Sequence, residues 1–176
     1  LLEDSGDILN TNMTGIDRVK DIVDGLRTFS HAGEDKQVSM SLLDCIDSSL
    51  QVVSNQFKYQ HTIDNQLSEQ LPPVRGNMGQ LQQVFVNLFV NAAHAMAKGG
   101  VLKIKSEVTD YHIFIEISDT GCGMDEQVID NIFTPFFTTK EVGSGTGLGM
   151  SISMAILQAH HAAVTIESEP NVGTTF

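Results

Sequence analysis

The chain has 176 residues, 41% hydrophobic and 18% charged, with 10 Lys and Arg against 22 Asp and Glu and a formal net charge of −12. This acidic, otherwise ordinary globular composition excludes a duplex-binding surface, which needs clustered basic side chains. A polyanionic ligand would have to rely on backbone amides, a metal ion and a few placed cations.

Residues 1–30 read as a bundle helix, with Leu2, Leu9, Ile16, Val19, Val23 and Leu26 spaced three and four apart and Ile22 and Phe29 widening the stripe. The polar run 30–37 carries Gly33 and breaks the period, as a linker does. A second amphipathic helix is expected over 41–57 from Leu43, Ile46, Leu50, Val53 and Phe57. Short strands follow near 59–65 and 72–75, then a long helix over 77–97. Its apolar run is broken by Asn87, Asn91 and His94 and is too short to span a bilayer. Gly99 and Gly100 turn the chain into a strand that pairs as a hairpin with 111–118. A helix at 148–160 and strands near 163–168 and 174–176 complete the pattern. Without strict βα alternation the class is α+β, a mixed sheet with helices on one face. Cys45 and Cys122 have neither zinc spacing nor a disulfide framework, which points to a reducing, cytoplasmic setting. The chain opens on Leu1 and stops at Phe176 inside an expected strand, so a fragment of a longer protein is expected.

Four stretches could carry chemistry. In the 77–97 helix, Gln83, Asn87 and Asn91 lie four apart, with His94 and Lys98 continuing the line. This is either a solvated flank or a set of neutral amide oxygens suited to Mg²⁺, which borrows a few ligands and keeps most of its water. Asp119 ends a strand whose alternate positions Ile113, Ile115 and Ile117 are apolar. A carboxylate in a core-facing row needs hydrogen-bond donors, which the exocyclic amino group of adenine could supply. Gly121 and Gly123 leave room there for a flat base, although a D-x-G sequence also commonly caps a turn. "IFTPFFTTK", 132–140, is either core or an apolar hinge, anchored by Phe136 and Phe137, that swings Lys140 onto phosphates. Gly143, Gly145, Gly147 and Gly149 precede a helix, as in a phosphate cradle or a plain flexible loop. The sequence there fits neither a P-loop nor a Rossmann turn.

In this order "QVFVNLFVNAAHAM", "DTGCGM", "IFTPFFTTK" and "GTGLGM" resemble the N, G1, F and G2 boxes of sensor histidine kinases. The wider superfamily includes DNA gyrase, the ninety-kilodalton heat-shock chaperone and the MutL repair proteins. The resemblance covers about residues 38–176, and "DRVKDIVDGLRTFS" is similar to the second helix of the dimerisation bundle. It implies a two-layer α/β sandwich of the Bergerat ATP-binding type. Residues 34–176 would be the catalytic domain, and 1–33 the end of the dimerisation and phosphotransfer hairpin with its linker.

By the same resemblance Asn91 binds Mg²⁺ with Asn87 beside it, and Asp119 takes the adenine amino group. Lys140 and the amides of Gly145, Thr146, Gly147, Leu148 and Gly149 meet the phosphates. Ala95, Gly121, Gly123, Met124 and Phe137 join the ATP-binding set, and Thr174 reaches adenine through water. The implied partners are ATP, a response-regulator receiver domain and a second copy joined through the helical bundle. Nucleic acid is not among them, and any membrane contact belongs to missing segments. The departures are specific. His94 stands where many relatives place a phosphate-touching Lys, and Gln83 where some carry a Glu that could act as a base. No phosphoacceptor motif is present, His31 sits in the linker, and the acceptor is expected on a missing first helix. The competing readings are an ATP-sensing scaffold without transfer and a chaperone-type or DNA-repair ATPase. Intact Asn91, Asp119 and Lys140 and the short lid favour the kinase.

Overall fold

A computed structural model of the chain describes residues 37–58, 60–140 and 145–176. The helix expected over 1–30, its linker, His31 and Gly143 lie outside the described residues. In chain order the elements are β1 (Val38–Met40), α1 (Leu42–Phe57), β2 (His61–Gln66), β3 (Val74–Gly76), α2 (Met78–Ala95), β4 (Gly100–Val108) and β5 (Ile113–Asp119). The series ends with α3 (Glu126–Asn131), α4 (Gly149–Ala159), β6 (Glu167–Glu169) and β7 (Gly173–Thr175).

Side-chain oxygens start the first three helices. Ser41 Oγ accepts the Asp44 N–H at 3.1 Å, Asn77 Oδ1 that of Gln80 at 3.1 Å, and Asp125 Oδ1 that of Val128 at 2.9 Å. Each such cap stabilises its helix by about 1 kcal/mol. The main sheet runs β2-β4-β5-β7-β6, with β2 parallel to β4 and the remaining pairs antiparallel; β1 and β3 form a separate two-stranded ladder. The turn into β4 depends on Gly99, at φ +91, because a Cβ there would stand 2.6 Å from the Gln60 carbonyl oxygen.

α2 is the central helix, packed on α1 to one side, α4 to the other and the sheet beneath. Its Val84 and Phe89 meet Ile46 and Val53 of α1, Leu102, Ile104 and Ile117 of the sheet, and Ile152 and Ile156 of α4 in one buried cluster. Burial of each such side chain contributes about 1.5–3 kcal/mol. α4 is clamped at both ends. Asn87 Nδ2 donates to Gly149 O at 3.0 Å and Ser153 Oγ at 3.1 Å. At the far end His160 Nε2 accepts the Asn77 N–H at 3.0 Å, and Gln37 Nε2 donates to Ala159 O at 3.0 Å. No described helix is long and apolar enough to cross a membrane.

The α+β class, the helices at 41–57, 77–97 and 148–160 and the β4–β5 hairpin all appear within a few residues of expectation. β1 and α3 were not foreseen. Neither has a stripe to read, since β1 buries only Met40 and α3 buries nothing. The strand expected over 163–168 is laddered only at Glu167–Glu169.

Candidate functional site

Asp119 is the last residue of β5, paired with the buried Leu102 on one side and with Thr174 on the other. It ends the row of Ile113, Ile115 and Ile117, as strand alternation requires. The carboxylate is half-buried, and Oδ1 accepts the Gly121 N–H at 2.8 Å. Burial raises its pKa above the ordinary Asp value, opposed by the backbone N–H groups of Gly121 and Thr174. A carboxylate offers about four acceptor positions, so two backbone donors leave capacity for another.

The loop after Asp119 is pressed onto the end of α2. Cys122 N donates to Ala95 O at 3.0 Å, and a Cβ on Gly121 would lie 2.6 Å from Ala95 Cβ and 2.7 Å from Asp119 Oδ1. Gly123, at φ +63, has no room for a side chain either, since its Cβ would meet the Glu169 carbonyl oxygen at 2.0 Å. Met124 N donates to Ser168 Oγ at 2.8 Å; that hydroxyl donates to Gly173 O at 3.0 Å and lies 2.9 Å from Thr174 Oγ1. The sequence reading missed Ser168, which ties this loop to the β6–β7 pair. Thr174 is buried, and its hydroxyl is engaged with Ser168.

A second group of side chains lies along the flank of α2. Lys140 Nζ stands 2.8 Å from His94 Nδ1 and donates a long 3.5 Å bond to Asn91 Oδ1. Burial lowers the pKa of Lys140, while burial and then the Lys140 charge lower that of His94. Gly145 faces the same cation, its would-be Cβ 3.3 Å from Lys140 Cδ. Asn91, His94 and Lys140 are thus brought together, Ala95 lies against the Gly121 loop instead, and both amide hydrogens of Asn87 bond to α4.

The segment 132–140 is held differently from the expected hinge. Ile132 and Phe133 pack on the core, but Phe136 is 64% exposed, so it is no buried anchor; Phe137 is half-buried. Phe136 has φ +68 and its N–H donates to Gly147 O at 2.9 Å. A bulky residue in the left-handed region is a genuine outlier. Gly147 also has φ +68, and a Cβ there would strike the Phe136 carbonyl carbon at 2.4 Å.

Leu148 turns its side chain into the core, only 4% exposed, so any part it takes in binding is through its backbone. α4 begins at Gly149 with no side-chain cap. The first N–H groups of a helix have no partner within it, and there the helix dipole favours an anion. Among the described residues there is no group of three or more His, Cys, Asp or Glu able to hold a metal. The donor set fits a cation only through neutral amide oxygen supplemented by ligand oxygens, which matches the habits of Mg²⁺.

Comparison with known proteins identifies the family and the fold. The chain is 32% identical over 171 residues to the signal transduction histidine-protein kinase AtoS of Escherichia coli (strain K12), covering 96% of this chain and 28% of that kinase. It therefore spans under a third of that relative's length. Among solved structures, the catalytic domain of histidine kinase ThkA superposes with a TM-score of 0.71 at 26% identity, covering 81% of this chain and 93% of that one. Histidine kinase ThkA in complex with response regulator protein TrrA gives a TM-score of 0.73 at 22% identity, covering 93% of this chain and 47% of that one. Residues 76–176, from β3 to the last residue, match the family described as "Histidine kinase-, DNA gyrase B-, and HSP90-like ATPase", an ATP-binding family to which this chain belongs.

Proposed function

We propose that the chain is the ATP-binding catalytic part of a sensor histidine kinase. In this reaction the bond between the γ-phosphorus of ATP and the β–γ bridging oxygen breaks. A new bond forms from that phosphorus to a histidine ring nitrogen, ADP leaves, and the phosphoryl group passes on to a response-regulator aspartate. The acceptor histidine lies on a dimerisation hairpin of which residues 1–33 form the end, and 34–176 form the catalytic domain. In the whole protein that hairpin joins two copies. The proposed setting is cytoplasmic.

The observation that carries the ATP reading is the Asp119 carboxylate, held half-buried at the end of a core-facing row with, among the described residues, only backbone donors. Asp119 accepts the adenine amino group, with Gly121, Gly123, Met124 and Ala95 forming the slot beside it and Thr174 beneath. Asn91, Lys140 and the amides of Gly145, Thr146, Gly147, Leu148 and Gly149 serve the phosphate end, and Phe137 closes the rim. Bound Mg²⁺ would neutralise phosphate charge there, with Asn91 as its protein ligand. Asn87 holds α4 in place for those amides. The complex of ThkA with a response regulator supports such a regulator as the partner here.

Calorimetric titration with MgATP and MgGTP tests the site. MgATP should bind and MgGTP far more weakly, because guanine presents an acceptor where adenine presents a donor; equal affinities would remove the adenine assignment. Incubated with labelled ATP, the chain should label no histidine of its own and should transfer label only to a supplied dimerisation hairpin. Acid-labile label on His31 would overturn the fragment reading.

A further inference from the structure

We infer that His94 is a positioning residue, whose unprotonated Nδ1 accepts a hydrogen from Lys140 Nζ and holds that ammonium over Asn91 at the phosphate end of the site. The inference rests on the MgATP reading above and assigns the histidine a task that reading leaves open.

The geometry carries it. His94 Nδ1 and Lys140 Nζ are 2.8 Å apart, a full hydrogen bond, whereas the Lys140 to Asn91 Oδ1 contact is 3.5 Å and weak. A lysine ammonium has only donors, so the imidazole must be the acceptor, with its proton on Nε2. Partial burial and the neighbouring Lys140 charge lower the pKa of His94, which keeps that lone pair available at neutral pH.

The need for such a partner follows from where Lys140 sits. It follows the exposed Thr138 and Thr139, and its backbone N–H bonds to Thr138 Oγ1 at 3.1 Å. Its half-buried ammonium has lost part of its hydration. A lysine stem is flexible and carries much rotamer entropy, so fixing the ammonium before the ligand arrives lowers the ordering needed on binding. His94 lies one turn beyond Asn91 on the same face of α2. The two side chains thus hold Lys140 from a rigid helix. A lysine at position 94 would repel Lys140 in the empty site. The histidine lets one cation of this acidic chain be prearranged.

The test uses the full chain, with calorimetric titration of MgATP and of adenosine. His94→Leu keeps the bulk and removes the acceptor. It should weaken MgATP by about two- to tenfold, the range for one net hydrogen bond, and leave adenosine unchanged. His94→Asn places an amide oxygen near the Nδ1 position and should recover most of the loss. In a Lys140→Met background His94→Leu should have no further effect, and ¹⁵N NMR should show Nδ1 unprotonated in the nucleotide-free chain at pH 7. Unchanged MgATP affinity in His94→Leu, or an equal loss for MgATP and adenosine, would overturn the inference. So would a loss that persists in full without Lys140, which would make His94 a direct phosphate contact. If native chain of undisturbed fold binds no MgATP, the site reading itself fails and takes this inference with it. If native chain binds and only the His94 pattern is wrong, the positioning role alone falls.

Discussion

Around Asp119 the polar contacts run to backbone or between neighbouring strands: Gly121 N–H to the carboxylate, and Ser168 joining Met124 to Gly173 and Thr174. Around Lys140 they run between side-chain tips that reach across from different elements. The first region is as rigid as the sheet that holds it. In the second, every contact fixes freely rotating bonds, at about 0.5–1.5 kcal/mol per rotamer-rich side chain. On the proposed assignment, recognition of the base would be built in, while the grip on the phosphates would depend on prearrangement.

The sharpest way to break this contrast is at the base. Asp119→Asn removes a charged acceptor from a half-buried place, and MgATP affinity should fall about ten- to a hundredfold, corresponding to about 1.5–3 kcal/mol. Calorimetry would show it, and a change of less than twofold would mean that the carboxylate does not meet the ligand.

The two ends should also differ in their tolerance of a methyl group. Gly123→Ala puts a Cβ 2.0 Å from a backbone oxygen at φ +63, whereas at Gly145 the nearest atoms among the described residues are Lys140 Cδ at 3.3 Å and Thr138 Oγ1 at 3.5 Å. Thermal unfolding should show a loss of about 1–3 kcal/mol or more for the former and within about 0.5 kcal/mol for the latter. Comparable losses would erase the distinction between a fixed and an adaptable end.

Two further substitutions separate support from contact. Asn87→Ala breaks both bonds to α4 and should lower nucleotide-free stability by about 1–2 kcal/mol. Asn91→Ala should leave stability within about 0.5 kcal/mol while abolishing the Mg²⁺ dependence of ATP binding. Denaturant melts with and without Mg²⁺ distinguish them.

The smallest expected effect concerns pH. The folded-state pKa of Asp119 is raised above 3.8, so its contribution to stability is fully present below 3.8 and is lost as pH rises through the folded value. At neutral pH the buried charge disfavours the empty fold. Asp119→Asn should therefore be as stable as the native chain or slightly more so at pH 7, with its advantage shrinking as the pH falls toward the carboxylate range. A variant less stable at pH 7 would show the backbone bonds outweighing burial.

What could be read from the sequence was what local periodicity encodes. The row ending in Asp119 follows from alternation, and the helices over 41–57 and 77–97 follow from their apolar stripes. The order of motifs gave the family, which the match over 76–176 bears out. What escaped depends on chain segments distant in sequence. Ser168 lies in the unremarkable run Glu167–Glu169, and it acquires partners only because β6 pairs with β7 beside the loop at Met124. The four-residue spacing placed Asn87 and Asn91 on one helix face, but it could not show that α4 packs over the first and Lys140 over the second. By composition Phe136 fits either core or a hinge anchor. Its left-handed backbone, set by contact with Gly147, turns it outward instead.

That contact between Phe136 and Gly147 has a consequence for how this site can change over time. The bond from Phe136 N to Gly147 O makes the intervening chain leave and return at a single point, so its length is decoupled from the geometry on either side. Doubling such a loop costs only about 0.6 kcal/mol of closure entropy, far less than disturbing the base, where Gly147 accepts no side chain. Changes of length within that chain can therefore leave the start of α4 in place, provided that Lys140, which belongs to it, stays within reach of His94 and Asn91.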